Sequence, residues 1–297
     1  MQERSTERMG CHIYQVIFSH LPTTLLYSVS FYDQVAYTFH SRSGAPKWDA
    51  VTSSATPPSW SHKVAWERGD ILRPATYASL LRGADFVVHS MGILLEADYK
   101  GVLRGQESPL TGLRKAFAST PRPGNPLERG VKDSDADIRP PETREQLTYE
   151  NMNRDSAIML AKEADQENAF AFVYISAAGG APVLPARYMS TKREAENTIA
   201  SQFPRMRSIF VRPPFLYDSS RPLTMPLAAM TGIGAAVNGI TGGIFGNLMG
   251  AAGVKPLQVD VVAEAVVQAL SDETVKGPVE VPEIEQLANK AWRSTMP

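Results

Sequence analysis

The chain has 297 residues, 43% of them hydrophobic and 21% charged, the balance of a globular protein long enough for one large α/β domain. A net charge of -1 offers no bulk attraction to nucleic acid or to an anionic membrane. The single cysteine, Cys11, excludes an internal disulfide and a cysteine-rich metal site, and the five histidines show no metal-ligand spacing.

Residues 1–40 form an atypical N-terminal segment. Arg4, Arg8 and several hydroxyl residues fit a mitochondrial presequence, whereas Glu3 and Glu7 count against one. The apolar patch from Leu25 to Phe31 is too short to span a bilayer. From residue 62 the pattern becomes regular. "HKVAWERGDI" predicts a short strand and a turn, and "RPATYASLLRGA" a helix that Pro74 opens and Gly83 stops. "DFVVHSMGIL" is an apolar run bounded by turn signals, as in a buried parallel strand. Residues 104–147 break the rhythm with six prolines and dense mixed charge, and predict a long mobile insertion.

"TYENMNRDSAIMLAKEADQ" then predicts an amphipathic helix with Met152, Ala157, Ile158, Leu160 and Ala161 toward the core. "AFAFVYISAAGG" reads as a buried strand and "YMSTKREAENTIASQF" as a helix. "RSIFVRPPFLYD" reads as a strand ended by Pro213 and Pro214, and "DVVAEAVVQALSD" as a late amphipathic helix. Strands alternating with helices predict a doubly wound parallel sheet. Residues 222–254, between Arg221 and Lys255, carry no charge and eight glycines. They are long enough to cross a bilayer but too rich in glycine for a continuous helix. Two readings fit: a loop folded over a cleft, or an apolar lid facing a membrane or an isoprenoid tail.

The chemistry centres on "RYMSTKREAE". Tyr188 and Lys192 stand four residues apart, on one helix face. Ser176 ends the preceding strand, where open α/β sheets bind their ligands. A tyrosine with its ordinary pKa of about 10 is a poor base at neutral pH, and a nearby ammonium lowers that value. Tyr188 could then exchange a proton with a substrate oxygen that Ser176 also hydrogen-bonds. On spacing alone, packing of Tyr188 on the sheet with a solvated Lys192 fits equally well.

The ordered run "GDILRPATYASLLRGADFVVHSMG", "YENMNRDSA", "FVYISAA", "YMSTKREAE", "FVRPPFLYD" and "VDVVAEAVVQAL" resembles the atypical and extended short-chain dehydrogenase/reductases of NAD-dependent epimerase/dehydratase type. Within them it is most similar to the branch of the nucleotide-binding accessory subunit of respiratory complex I and its fungal relative of coenzyme Q biosynthesis. The resemblance covers roughly residues 41–285 and leaves 286–297 as a tail. It implies a Rossmann-like sheet with a small C-terminal substrate region. It also implies NADP or NAD as cofactor, a quinone or isoprenoid-type small molecule as ligand, and a mitochondrial place peripheral to the inner membrane, within or beside one of its complexes.

The resemblance assigns Ser176, Tyr188 and Lys192 to catalysis, with Lys192 also holding the nicotinamide ribose. Asp70 would bond the adenine amino group, or else cap a turn. Ser90, Met91 and Gly92 would form the small-residue turn facing the cofactor, and Asn153 would support the lysine. Pro213 and Pro214 would lie near the nicotinamide. Arg42, at the end of the second strand, would pair with the 2′-phosphate of NADP, or else stand in an exposed loop. The family's opening glycine loop is missing: upstream of Arg42 the only glycine is Gly10. The N-terminal βαβ half-unit is therefore expected to be disrupted or missing, and cofactor binding to suffer, because those glycines bring backbone N–H groups onto the pyrophosphate. Two functions remain: an NADP-linked oxidoreductase, or a non-catalytic assembly or lipid-binding subunit.

Overall fold

The computed structural model describes residues 13–16, 36–40, 48, 55–57, 59, 61–93, 126–127, 148–179, 186–217 and 255–294. Arg42, most of 104–147 and all of 222–254 lie outside the described residues. Seven parallel strands make one sheet in the order β3-β2-β1-β4-β5-β6-β9. They are β1 (Ile13–Val16), β2 (Ala36–His40), β3 (Val64–Arg68), β4 (Phe86–His89), β5 (Ala171–Ile175), β6 (Arg207–Val211) and β9 (Gly277–Val279). A two-stranded ribbon pairs β7 (Leu216–Tyr217) with β8 (Leu257–Gln258). Among the described residues the α-helices are α1 (Ser156–Gln166), α2 (Ala186–Gln202), α3 (Val259–Ser271) and α4 (Val281–Ser294). Among the described residues no helix is long and apolar enough to cross a membrane.

Successive side chains of a strand point to opposite faces, and the core divides accordingly. Val87, Phe172, Tyr174 and Phe210 pack with Ile158 and Ile199 of α1 and α2. Val88, Val173, Ile209 and Val211 pack on the other face with Val266 and Ile284 of α3 and α4. Both faces are covered, so these strands are apolar throughout rather than alternating. Each fully buried side chain of this size contributes about 1.5–3 kcal/mol.

Three local expectations change. Pro74 to Gly83 forms two short 3-10 turns, Pro74–Thr76 and Ala78–Leu81, in place of one α-helix. Side chains compete there with helical bonding: the Thr76 hydroxyl accepts from the Asp70 N–H (2.9 Å) and donates to the Arg73 carbonyl (2.8 Å). Gly83 does stop the segment, with φ +75°. At the N-terminus, of "disrupted" and "missing", the second fails for the strands: β1 and β2 stand in the sheet, β1 pairing on both sides. Their segments, IYQV and AYTFH, are rich in β-branched and aromatic residues, and without β1 the buried edge of β4 would leave backbone groups unpaired. Finally, the expected tail starts inside a helix, since α4 runs from Val281 to Ser294 with Ile284 and Ala288 buried.

Candidate functional site

Parallel strands end together, and the ends of β4, β5 and β6 bring the expected residues to one edge of the sheet. His89 of β4 is level with Tyr174, and Ile175 with Val211. Just beyond come Ser90 and Met91, both buried, then Ser176, then Pro213 and Pro214, also buried. The Ala178 N–H donates to the Pro213 carbonyl (2.8 Å), tying the β5 and β6 exits together. Helix α2 lays Tyr188 and Lys192 over this edge.

Lys192 is buried to 4% exposure, and its ammonium donates to the Ile175 carbonyl at 3.1 Å. Nζ lies 5.1 Å from the centroid of the Tyr174 ring and 5.7 Å from that of Tyr188. Burial lowers its pKa to about 7; Glu196 opposes that shift and Arg193 adds to it. The Tyr188 pKa moves the other way from the sequence expectation. Part of its surface remains open, yet the packing around it pushes the phenol up to about 12, with Arg193 pulling slightly down. Desolvation outweighs any help from Lys192, whose own charge is disfavoured here.

Behind the lysine, the chain opens α1 with a wider turn, Glu150–Asp155, where the Ser156 N–H reaches back five residues to the Asn151 carbonyl. The turn holds Asn153 fully buried, and its carboxamide clasps the backbone of Ile93: Oδ1 accepts from the N–H (2.8 Å) and Nδ2 donates to the carbonyl (3.1 Å). The Tyr174 hydroxyl donates to the Asn153 backbone carbonyl. Asn153 thus meets Lys192 through the Tyr174 ring and around Gly92, with no direct hydrogen bond between them. The same turn supplies Glu150, whose two oxygens each accept from Arg187 Nη2 at 2.7 Å. Tyr149 meets the Tyr188 ring edge-on at 5.9 Å.

Gly92 sits where no side chain fits comfortably. A Cβ there would stand 3.0 Å from Asn153 Oδ1 and 3.5 Å from Lys192 Nζ. Gly92→Ala is expected to displace the carboxamide, weaken its clasp on Ile93 and lose about 1 kcal/mol in urea unfolding. Unchanged stability would show that the clasp yields freely.

His89 is fully buried beneath the site. Its Nε2 lies 3.0 Å from Ser156 Oγ, and that hydroxyl donates to the Met152 carbonyl at 2.8 Å. Nε2 must then carry the hydrogen, leaving Nδ1 as an acceptor with no partner among the described residues. Burial, helped by Lys192, lowers the His89 pKa to about 3.

Sequence reading missed a charged network beside the serine. Arg193 Nη1 donates to Ser176 Oγ (3.0 Å) and to Glu196 Oε1 (2.5 Å), and Nη2 donates to the Ala177 carbonyl (2.7 Å). Glu196, 2% exposed, also accepts two bonds from Arg212, which reaches on to Glu280 (2.6 Å). The available signal was Glu196 following Lys192 by four residues, but the glutamate pairs with arginines instead. Asp70, by contrast, stands apart from this network: it accepts from the Leu72 N–H (3.1 Å) and pairs with Arg73 (3.4 Å).

No protein-family model matches the chain. Over 175 residues, 54% of its length, it is 36% identical to MIOREX complex component 2 of Saccharomyces cerevisiae, and the match spans 58% of that protein. Among solved structures it is similar to UDP-N-acetylglucosamine 4-epimerase from Methanobrevibacter ruminantium (TM-score 0.52, 13% identity, 92% of this chain and 77% of that one). It is also similar to UDP-glucuronic acid 4-epimerase from Bacillus cereus in complex with NAD (0.51, 13%, 91% and 78%). A third is vestitone reductase from alfalfa (0.50, 13%, 91% and 76%). At such identity the likeness speaks for the fold, and the chain has the Rossmann-like fold of these epimerases and reductases.

Proposed function

We propose that the chain is an NAD(P)-binding, short-chain dehydrogenase/reductase-like protein of mitochondrial quinone metabolism, working at the surface of the inner membrane. One observation carries the site: Ser90 to Gly92, Ser176, Tyr188, Lys192 and the Pro213–Pro214 turn converge at the carboxyl ends of β4, β5 and β6. That edge, beside the point where strand order reverses between β1 and β4, is where open α/β sheets bind nucleotides. The six ordered motifs support the branch, and the yeast relative's name supports a place in a larger assembly.

The residues fit the two ends of a dinucleotide unequally. At the nicotinamide end, Lys192 supplies a donor and Gly92 keeps the approach free of a side chain. At the pyrophosphate end, no glycine follows β1 before Gly44, so the glycine loop that would cradle it has no counterpart in the sequence. NADPH is therefore expected to bind weakly, with a dissociation constant well above about 1 µM in calorimetry. Replacing residues 1–40 by a strand, glycine loop, helix and second strand should tighten it. Sub-micromolar affinity in the unaltered chain would overturn this account.

A second reading, a non-catalytic assembly or quinone-binding subunit, draws support from Tyr188. A phenol held near 12 is a hydrogen-bond donor at neutral pH rather than a base. Under that reading, Tyr188→Phe supports quinone synthesis in a deletion strain as well as the unaltered chain does.

A further inference from the structure

The Ser176 hydroxyl can donate one hydrogen bond and accept others, so its neighbours decide which capacity is left for a ligand. Here the neighbour is a guanidinium, which can only donate, and Arg193 Nη1 is 3.0 Å from Ser176 Oγ. The serine oxygen is thus an acceptor toward the protein, and its hydrogen remains for outward donation. A charge-assisted bond of this kind also polarises the O–H, strengthening it as a donor.

Arg193 is held in place from three sides. Nη2 donates to the Ala177 carbonyl, next to the serine in sequence, and Nη1 also meets Glu196. Glu196 is in turn gripped by Arg212, itself tied to Glu280 at the head of α4. The guanidinium therefore cannot swing away without leaving a buried carboxylate short of a partner. Nearby, Lys192 also presents only N–H donors when protonated, and its bonded partner is a backbone carbonyl. The Tyr188 hydroxyl adds a further O–H. Ser176, Tyr188 and protonated Lys192 thus each have a hydrogen to offer at this edge.

We propose that Arg193 is a positioning residue that commits the Ser176 hydroxyl to donation, so that the site takes the carbonyl form of its ligand in preference to the corresponding hydroxyl form. This inference rests on the function proposed above and refines its ligand class: an oxidised, quinone-type ring rather than its hydroquinone. A carbonyl oxygen only accepts, and meets such a wall with its lone pairs. A hydroxyl must also place its own hydrogen, and a serine oxygen that already accepts from a guanidinium is a poorer acceptor for it.

The test uses duroquinone and durohydroquinone, fully methylated so that neither lysine nor Cys11 adds to the ring. Binding of each to the full chain is measured anaerobically by tryptophan quenching, alongside NADPH. The unaltered chain is expected to favour the quinone about tenfold, as one charge-assisted hydrogen bond allows. Arg193→Gln, whose amide can accept as well as donate, should bring that preference to within about twofold of parity. Arg193→Lys should keep most of it. Ser176→Ala should abolish the preference, and it carries the test if Arg193→Gln does not fold. Equal binding of quinone and hydroquinone by the unaltered chain, with NADPH still bound, overturns the inference and leaves the nucleotide-binding reading standing. So does a preference that persists in Arg193→Gln or in Ser176→Ala. Failure of all three ligands to bind overturns both.

Discussion

Replacing Lys192 with methionine is expected to stabilise the protein at neutral pH while removing the site's central donor. The unfolded chain holds a lysine proton up to its ordinary pKa near 10.5, whereas the folded chain releases it near 7. Between those values the unfolded state binds more protons, so stability rises with pH through the window 7 to 10.5. Below pH 7 the full penalty of burying the ammonium is present, up to about 5 kcal/mol for such a displacement. Methionine keeps the stem and drops the charge, forgoing one bond to the Ile175 carbonyl worth about 1 kcal/mol. The expected net gain near neutrality is on the order of 2–3 kcal/mol, with a flattened slope between pH 7 and 10 in urea unfolding. His89 adds a slope of the same sign lower down, as stability falls when pH drops from 6.5 toward 3. Above pH 10 the sign reverses, because Tyr174 and Tyr188 hold their protons more tightly when folded, and stability is lost as pH climbs toward 12. An unchanged slope in Lys192→Met would assign the pH dependence elsewhere. Under the function proposed above, Lys192 serves the site at a cost to the fold.

The opposite change is expected at Glu196. Glu196→Gln keeps the shape but leaves Arg193 and Arg212 sharing no charge, and its amide N–H groups face guanidinium donors. Breaking a buried pair costs about 3–5 kcal/mol, and the partial exposure of both arginines, 29% and 18%, brings that toward the lower end. A loss of about 3 kcal/mol lowers Tm by roughly 6–12 °C in a domain of this size. Glu280→Gln removes the outer, half-exposed member of the same network and should cost under about 1 kcal/mol. Equal losses in the two variants would mean that burial does not set the strength of these pairs.

Strand cores were legible because parallel strands covered on both faces read as unbroken apolar runs, as in FVVH and AFVYI. The proximity of Tyr188 and Lys192 was legible because a helix stacks residues four apart, and Lys192 Nζ does lie 5.7 Å from the centroid of the Tyr188 ring. The Arg193–Glu196–Arg212 network was not, since charged residues on a helix read as a solvated face and their partner comes from a distant strand. The wide turn at Glu150–Asp155 has no composition of its own; its register depends on what Asn153, Glu150 and Tyr149 find across the site. β1 was overlooked for a different reason, while a second strand ending near Arg42 was expected and β2 ends at His40. The residues of β1 are good strand formers, but a nucleotide-binding half-unit is recognised by its loop, and pairing with β4 asks only for backbone.

The position of β1 has a consequence for how the molecule comes apart. Four residues, Ile13–Val16, are the seam between β2–β3 on one side and β4–β5–β6–β9 on the other. The larger side is built, among the described residues, from 86–89, 148–179, 186–217 and 255–294, and both helical layers named above rest on it. The smaller side's backbone reaches that body's sheet through one short ladder, with Val64 and Trp66 of β3 adding side-chain packing to the core of the α3–α4 face. Breaking the ladder releases β1, β2 and β3 as one cooperative unit, at less free energy than global unfolding requires. This part of the sheet is thus expected to open before the rest, and a ligand bridging β1 and β4 would act as a clamp against that opening.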